Sequence, residues 1–197
     1  MLFLHGNGGG GFLGYDLPRL HAVLNDFPVG LLVAAVIFEI LFLFTKRDSL
    51  RIVAYWMLMA GVIGAGLAVL SGLGAEDRIA HGEAVHEIME EHEELAYITT
   101  GIFAVVALWR LLRERVMSRG ERMAALCLAL VGSGFLVSTG KHGGEMVFEH
   151  AAGIKTPALE EEIKSRAMGH KHEEGDEDDE DHDEAAPDSV TGPAPSQ

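Results

Sequence analysis

The chain has 197 residues, 48% of them hydrophobic, and a formal net charge of −15. The two properties are segregated, with apolar residues in four long runs and much of the acid beyond Thr156. That pattern excludes one ordinary globular domain, and the acidic balance excludes a nucleic-acid-binding module. Cys127 is the single cysteine, so neither an intrachain disulfide framework nor a thiolate metal cage can form. Lying inside an apolar run, it reads as a small packing residue.

Residues 1–17 form a Gly-rich opening with no basic n-region, read as a flexible segment rather than a cleaved signal peptide. A membrane domain is expected over residues 18–155. A helix crossing about 30 Å of hydrocarbon needs around 20 mostly apolar residues. Four segments qualify: Phe27 to Thr45 with an extension outward to Pro18, Ile52 to Gly74, Leu95 to Leu112, and Met123 to Gly140. The fold class predicted is therefore all-α, a four-transmembrane-helix bundle. Residues 156–197 combine like charge with almost no large apolar side chain, which predicts a disordered acidic tail containing histidines.

Lys and Arg set the expected orientation. The first connection carries Lys46, Arg47 and Arg51, and the third carries Arg110, Arg113, Arg115, Arg119 and Arg122. The second holds Arg78 among Glu76, Asp77, Glu83, Glu87, Glu90 and Glu91. Basic connections facing the cytoplasm put both termini on the outer side of the bacterial inner membrane. Trp56 and Trp109 would be interfacial anchors at the cytoplasmic ends. Small residues every fourth position, at Ala60, Gly64, Ala68 and Gly72 and again at Ala125, Ala129 and Ser133, predict close helix packing.

All ten histidines fall at or beyond the outer ends of the spans. His5 and His86 read as surface residues, and His170, His172 and His182 belong to the tail. His21 opens span one just ahead of Pro28, whose missing N–H frees backbone groups. His92 shares a mostly apolar helical face with Val85, Ile88, Ala96 and Thr99, which directs it toward the bundle interior. A lone inward histidine is as often a hydrogen-bonded core residue as a ligand. An internal repeat bears on the choice. Leu24 and Gly30 follow His21 by three and nine residues, as Leu95 and Gly101 follow His92. Spans two and four both exit through serine, glycine, a His-Gly pair and an acid. Two duplicated hairpins related by an axis along the membrane normal would bring His21 and His92 to one depth across the bundle. Paired imidazoles in a four-helix bundle are one way to hold b-type haem, with His81, His142 and His150 as substitute ligands. A copper or zinc ion, or no cofactor, are the alternatives.

Glu39 lies inside span one, where a carboxylate is costly and is either functional or a protonated, hydrogen-bonded structural group. Glu145, with Glu149 and His150, follows span four and is placed to accept the second N–H of a ligand imidazole. The run HAVLNDFPVGLLVAAVIFEI, with His21, Phe27, Pro28 and Glu39, resembles the opening of the bacterial membrane family catalogued as domain of unknown function 2231. The segment GKHGGEMVFEHAAGI is similar to its closing signature, here Gly143, Gly144, Glu145, His150 and Gly153. The resemblance covers Leu20 to Ile154 and implies a four-helix membrane domain without an established activity. Asn25 and Asp26 stand where a second histidine before Phe-Pro is expected.

Three functions are compatible with these residues. One is electron transfer by a haem or metal centre near the outer face. The second is a non-catalytic accessory subunit of a larger respiratory or photosynthetic complex, whose acidic outer surface docks a basic electron-carrier protein. The third is transport of a metal or proton, against which no second span supplies a charge to continue from Glu39. No nucleophile-base pattern, phosphate loop or cofactor fingerprint points to a dedicated enzyme.

Overall fold

The computed structural model describes residues 16–79 and 81–169. They form five helices: α1 (Leu17–Thr45), α2 (Asp48–Glu76), α3 (Glu83–Arg113), α4 (Arg119–Phe148) and α5 (Thr156–Met168). The first four are each long and apolar enough to cross a membrane. The protein is an all-helical integral membrane bundle, and the exposed side chains of Phe44, Leu70 and Val137 on its outer surface face lipid. α1 packs on α2 and α3 on α4, and the α2–α3 and α1–α4 contacts close the ring. α1 and α3 therefore stand diagonally across the bundle.

Each helix runs beyond the apolar stretch that marks it in the sequence, and polar side-chain caps set the starts of α1 and α4. Asp16 caps α1 by accepting from Arg19 N–H, with Pro18 in the first turn. The C-cap Lys46 adopts the left-handed conformation, φ 57°, and its N–H returns to Phe42 O. Ser118 and Glu121 form a reciprocal capping box at α4. α3 starts at Glu83, three turns ahead of the expected Leu95, and takes in His86 together with the helical face of His92. Glu145 likewise lies within α4, not after it. α5 is a separate element within a second compact unit that begins at Thr156. Its residues are helical where the composition predicts disorder, and none of them is buried. The tail histidines His170, His172 and His182, and His5, lie outside the described residues.

The duplication is carried by the core itself. Pro28, Leu32, Ala35, Val36 and Glu39 are buried on α1, and the residues 71 positions later, Thr99, Phe103, Val106, Ala107 and Arg110, are buried on α3. Ala54, Leu58, Gly61, Ala65 and Ala68 of α2 correspond in the same way to Ala125, Ala129, Gly132, Leu136 and Thr139 of α4. Along α2 and α4 the steps alternate between four and three residues, and α1 and α3 do the same with Val36 and Ala107 added beside the seam, an average of about 3.5 that keeps one seam facing its neighbours. The straight four-residue stripe expected on α2 drifts off that seam, and Ala60 is accordingly exposed. Leu32 and Phe103 are fully buried, and the glycines opposite them are equivalent too. A Cβ at Gly61 would meet Leu32 Cδ2 at 2.7 Å, and one at Gly132 would meet Ile102 Cγ2 at 2.9 Å and Phe103 Cε2 at 3.1 Å. Small residues let the helices close on these two side chains.

At the end bearing the α1–α2 and α3–α4 connections, the seam turns ionic. Glu39 is 5% exposed and forms an ion pair with Arg110 Nη1 at 2.8 Å, while Arg122 Nη1 donates to its Oε1 at 3.2 Å. Sequence reading left Glu39 without a charged partner in another span; both partners lie within helices, their long side chains reaching the carboxylate. Glu114 extends the cluster, accepting from Arg110 Nε at 2.8 Å and Arg51 Nη1 at 2.9 Å. Burial pushes the Glu114 carboxyl up, but hydrogen bonds from Arg110 and Arg51 and the charges of Arg110 and Arg122 outweigh it and hold it below its ordinary 4.5. A cavity of about 20 Å³ is lined by Glu39 and Arg110, and among the described residues Glu39 Oε2 and Arg110 Nη2 have no hydrogen-bond partner. It exceeds the roughly 10–15 Å³ that one bridging water requires.

Two outcomes follow from this cluster. Arg110→Leu leaves a buried carboxylate under-compensated and should cost about 3–5 kcal/mol. The double change Glu39→Leu with Arg110→Leu should recover at least half of that loss in thermal unfolding in detergent, because an apolar pair replaces the ion pair. Because Glu114 has a folded pKa below its unfolded one, its stabilisation is complete above pH 4.5 and is lost as pH falls below that value. Melting temperature should therefore drop as the pH is lowered through 4.5 and below, and Glu114→Gln should make the drop shallower.

Candidate functional site

The same seam leads to histidine at the other end. His21 lies seven residues before Pro28, and His92 seven before Thr99, so the heptad that buries those positions aims both imidazoles inward. Their ring centroids are 6.5 Å apart and their planes nearly perpendicular, at 87°. His21 Nδ1 lies 2.9 Å from Ala68 O, with Ser71 Oγ at 3.2 Å. His92 Nδ1 lies 2.9 Å from Thr139 O. A carbonyl can only accept, so each Nδ1 carries the proton, and in a neutral imidazole this leaves the lone pair on Nε2. The two hydrogen bonds span the same 47 residues of sequence, one in each hairpin.

Glycines set the depth of the rings. A Cβ at Gly72 would sit 3.1 Å from His21 Cε1, and one at Gly143, its equivalent 71 positions on, 3.3 Å from His92 Cε1. Both imidazoles line a cavity of about 480 Å³. Its walls include the apolar Val69, Leu73, Met89 and Met146, with Arg19, Asn25, Asp26, Glu76, Glu93 and Tyr97 as polar members. Tyr97 donates to Glu93 Oε1 at 2.6 Å. An apolar cavity with a few convergent polar groups is the usual form of a small-molecule or cofactor site.

The remaining candidates are elsewhere. His81 stacks on His86 and its Nδ1 is 2.6 Å from Ile79 O, outside the cavity. His142 Nδ1 donates to Ser138 O at 2.8 Å, one turn back, and Nε2 is 3.2 Å from Glu91 Oε2. Glu145, Glu149 and His150 place ligand atoms within 4.8 Å of one another on a largely exposed surface. The Nδ1 atoms of His21 and His92 meet backbone carbonyls of the partner helices rather than Glu145. Glu39 is 18 residues from His21 on one helix, about 27 Å away, and belongs to the ionic end. Sequence reasoning missed Gly72, Gly143, Ser71 and Thr139; extending the 71-residue offset along spans two and four would have found the glycine pair.

Fold and site together define a duplicated four-helix integral membrane protein with a two-histidine cavity at one end of the bundle. The chain belongs to the family described as a predicted membrane protein (DUF2231), whose profile matches residues 18–156. No curated protein and no solved structure matches it.

The glycine cradle is testable by itself. Gly72→Ala and Gly143→Ala should each displace one imidazole and shift its ring ¹⁵N resonances away from the Nδ1–H pattern. Gly101→Ala, where a Cβ meets nothing within 4 Å, should leave both rings unchanged.

Proposed function

We propose that the protein holds a redox metal centre, b-type haem iron in the first instance, between His21 and His92, and passes electrons near that face of the membrane. The observation that carries this reading is the pair of equivalent imidazoles, each with Nδ1 bonded to a carbonyl and Nε2 free, 6.5 Å apart on one cavity. Metal-ligating histidines characteristically donate their other N–H in this way. The two imidazoles would hold the metal, which would supply one-electron redox chemistry there.

The donor set fits the group. Gly72, Gly140, Gly143 and Gly144 on the cavity wall leave room for a flat macrocycle, and Val69, Leu73 and Met146 supply apolar contact. Haem iron bound there would cycle between ferric and ferrous states. The chain's own part is to fix both tautomers, hold the rings against glycine and keep the surroundings apolar, the levers that set a potential. We place the basic end in the cytoplasm of the bacterial inner membrane, on the distribution of Lys and Arg, which puts the histidine end outside.

An absorption spectrum of the detergent-purified protein, oxidised and then dithionite-reduced, tests the reading. The expected result is a Soret band with sharp reduced α and β peaks, lost in His21→Ala and in His92→Ala. A featureless spectrum from haem-replete cells, with no stoichiometric copper or zinc, would sink it; a stable co-purifying complex would then support the accessory-subunit role.

A further inference from the structure

The ionic end opens into a second cavity of about 490 Å³ between the two inter-helix connections. Five cations line it: Lys46, Arg51, Arg115, Arg119 and Arg122. Only two carboxylates oppose them, Asp48 and Glu114. Those acids are already engaged. Arg51 takes Asp48 at 3.1 Å and Glu114 at 2.9 Å, and Arg122 is shared between Glu114 and Glu39. Among the described residues, Lys46, Arg115 and Arg119 have no carboxylate partner. Three unneutralised cations in one recess create a positive field for which the protein supplies no counter-ion.

Backbone polarity has the same sign. α2 and α4 both begin beside this cavity, at Asp48 and Arg119, so two positive helix ends face it. The N-cap of α2, Arg47, makes no side-chain capping bond. The recess is also amphipathic, with Phe42, Leu43 and Met117 on its wall. Leu41 and Phe44, on the same last turns of α1, are exposed at 41% and 83%, as a surface against acyl chains would be. The cavity thus sits where helices leave the hydrocarbon and lipid headgroups lie.

We propose that this cavity binds the phosphate of an anionic phospholipid, phosphatidylglycerol or cardiolipin, with Lys46, Arg115 and Arg119 as its principal contacts. Arg51 and Arg122 remain committed to Glu114 and Glu39 and hold the floor of the site. The acyl chains run along the apolar outer face of α1. Basic pockets between transmembrane helices recognise such headgroups by charge and by hydrogen-bond donors together. The site is independent of any cofactor at the histidine end.

The test uses the full chain, purified in detergent, delipidated and re-equilibrated with defined lipids, with retention read by native mass spectrometry. Phosphatidylglycerol should be retained about tenfold or more over phosphatidylcholine. The triple variant Lys46→Gln, Arg115→Gln, Arg119→Gln should bind both lipids equally, while Lys141→Gln at the opposite end should keep the preference. The three substitutions spare the Glu39–Arg110–Arg122 cluster, and an unchanged melting temperature checks that the bundle is intact. Equal retention of both lipids by the unaltered protein, or an undiminished preference in the triple variant, would overturn the proposal. Full displacement of phosphatidylglycerol by millimolar inorganic phosphate would reassign the cavity to a soluble anion and overturn the lipid assignment.

Discussion

A carboxylate inside a bilayer must find positive charge, and satisfying Glu39 fixes much of this bundle. Its partners are Arg110 on α3 and Arg122 on α4, so one buried group ties three helices at a common depth. α1 and α3 are diagonal, and in the lower half of the bundle this is their polar bridge. Packing among small and apolar residues tolerates a helix sliding by part of a turn. A short ion pair does not, because moving it strands a charge in low dielectric. The heptad seam supplies the approach of the helices, and the ion pair supplies their register.

That register carries to the opposite end. Rise along a helix is fixed at about 1.5 Å per residue, so clamping Glu39 against Arg110 sets His21 level with His92 eighteen residues away on each helix. Each imidazole is held by one carbonyl bond inside its own hairpin, and the distance between the two is set by hairpin docking. The charged end therefore has a part in the geometry of the neutral one.

Much of this was legible in the chain. Four runs of hydrocarbon length gave the spans, Pro18 gave the start of α1, and the matching offsets around His21 and His92 gave the repeat and the facing imidazoles. What was not legible has a physical origin. Arg110, at the edge of its apolar window, and Arg122, just outside its own, read as loop cations, yet both lie within helices and their long side chains reach back to Glu39. Glu145 read as a carboxylate free to orient an imidazole, but Ala68 and Thr139 carbonyls do so, and backbone acceptors leave no mark in composition. Cys127, expected to pack, faces outward, because a small apolar residue suits lipid and core equally.

Glu39 and Arg110 are themselves equivalent positions of the two repeats, so the approximate two-fold axis passes between them, as it does between His21 and His92. A free-standing hairpin pairing with its own copy would set identical residues across that axis. Two neutral imidazoles tolerate such a meeting; two glutamates or two arginines repel. Opposite charges at equivalent places require halves that have ceased to be identical. Joining both hairpins in one chain makes that divergence heritable and guarantees the pairing of unlike halves, so the position where a symmetric dimer would be weakest becomes the clamp of the fused protein.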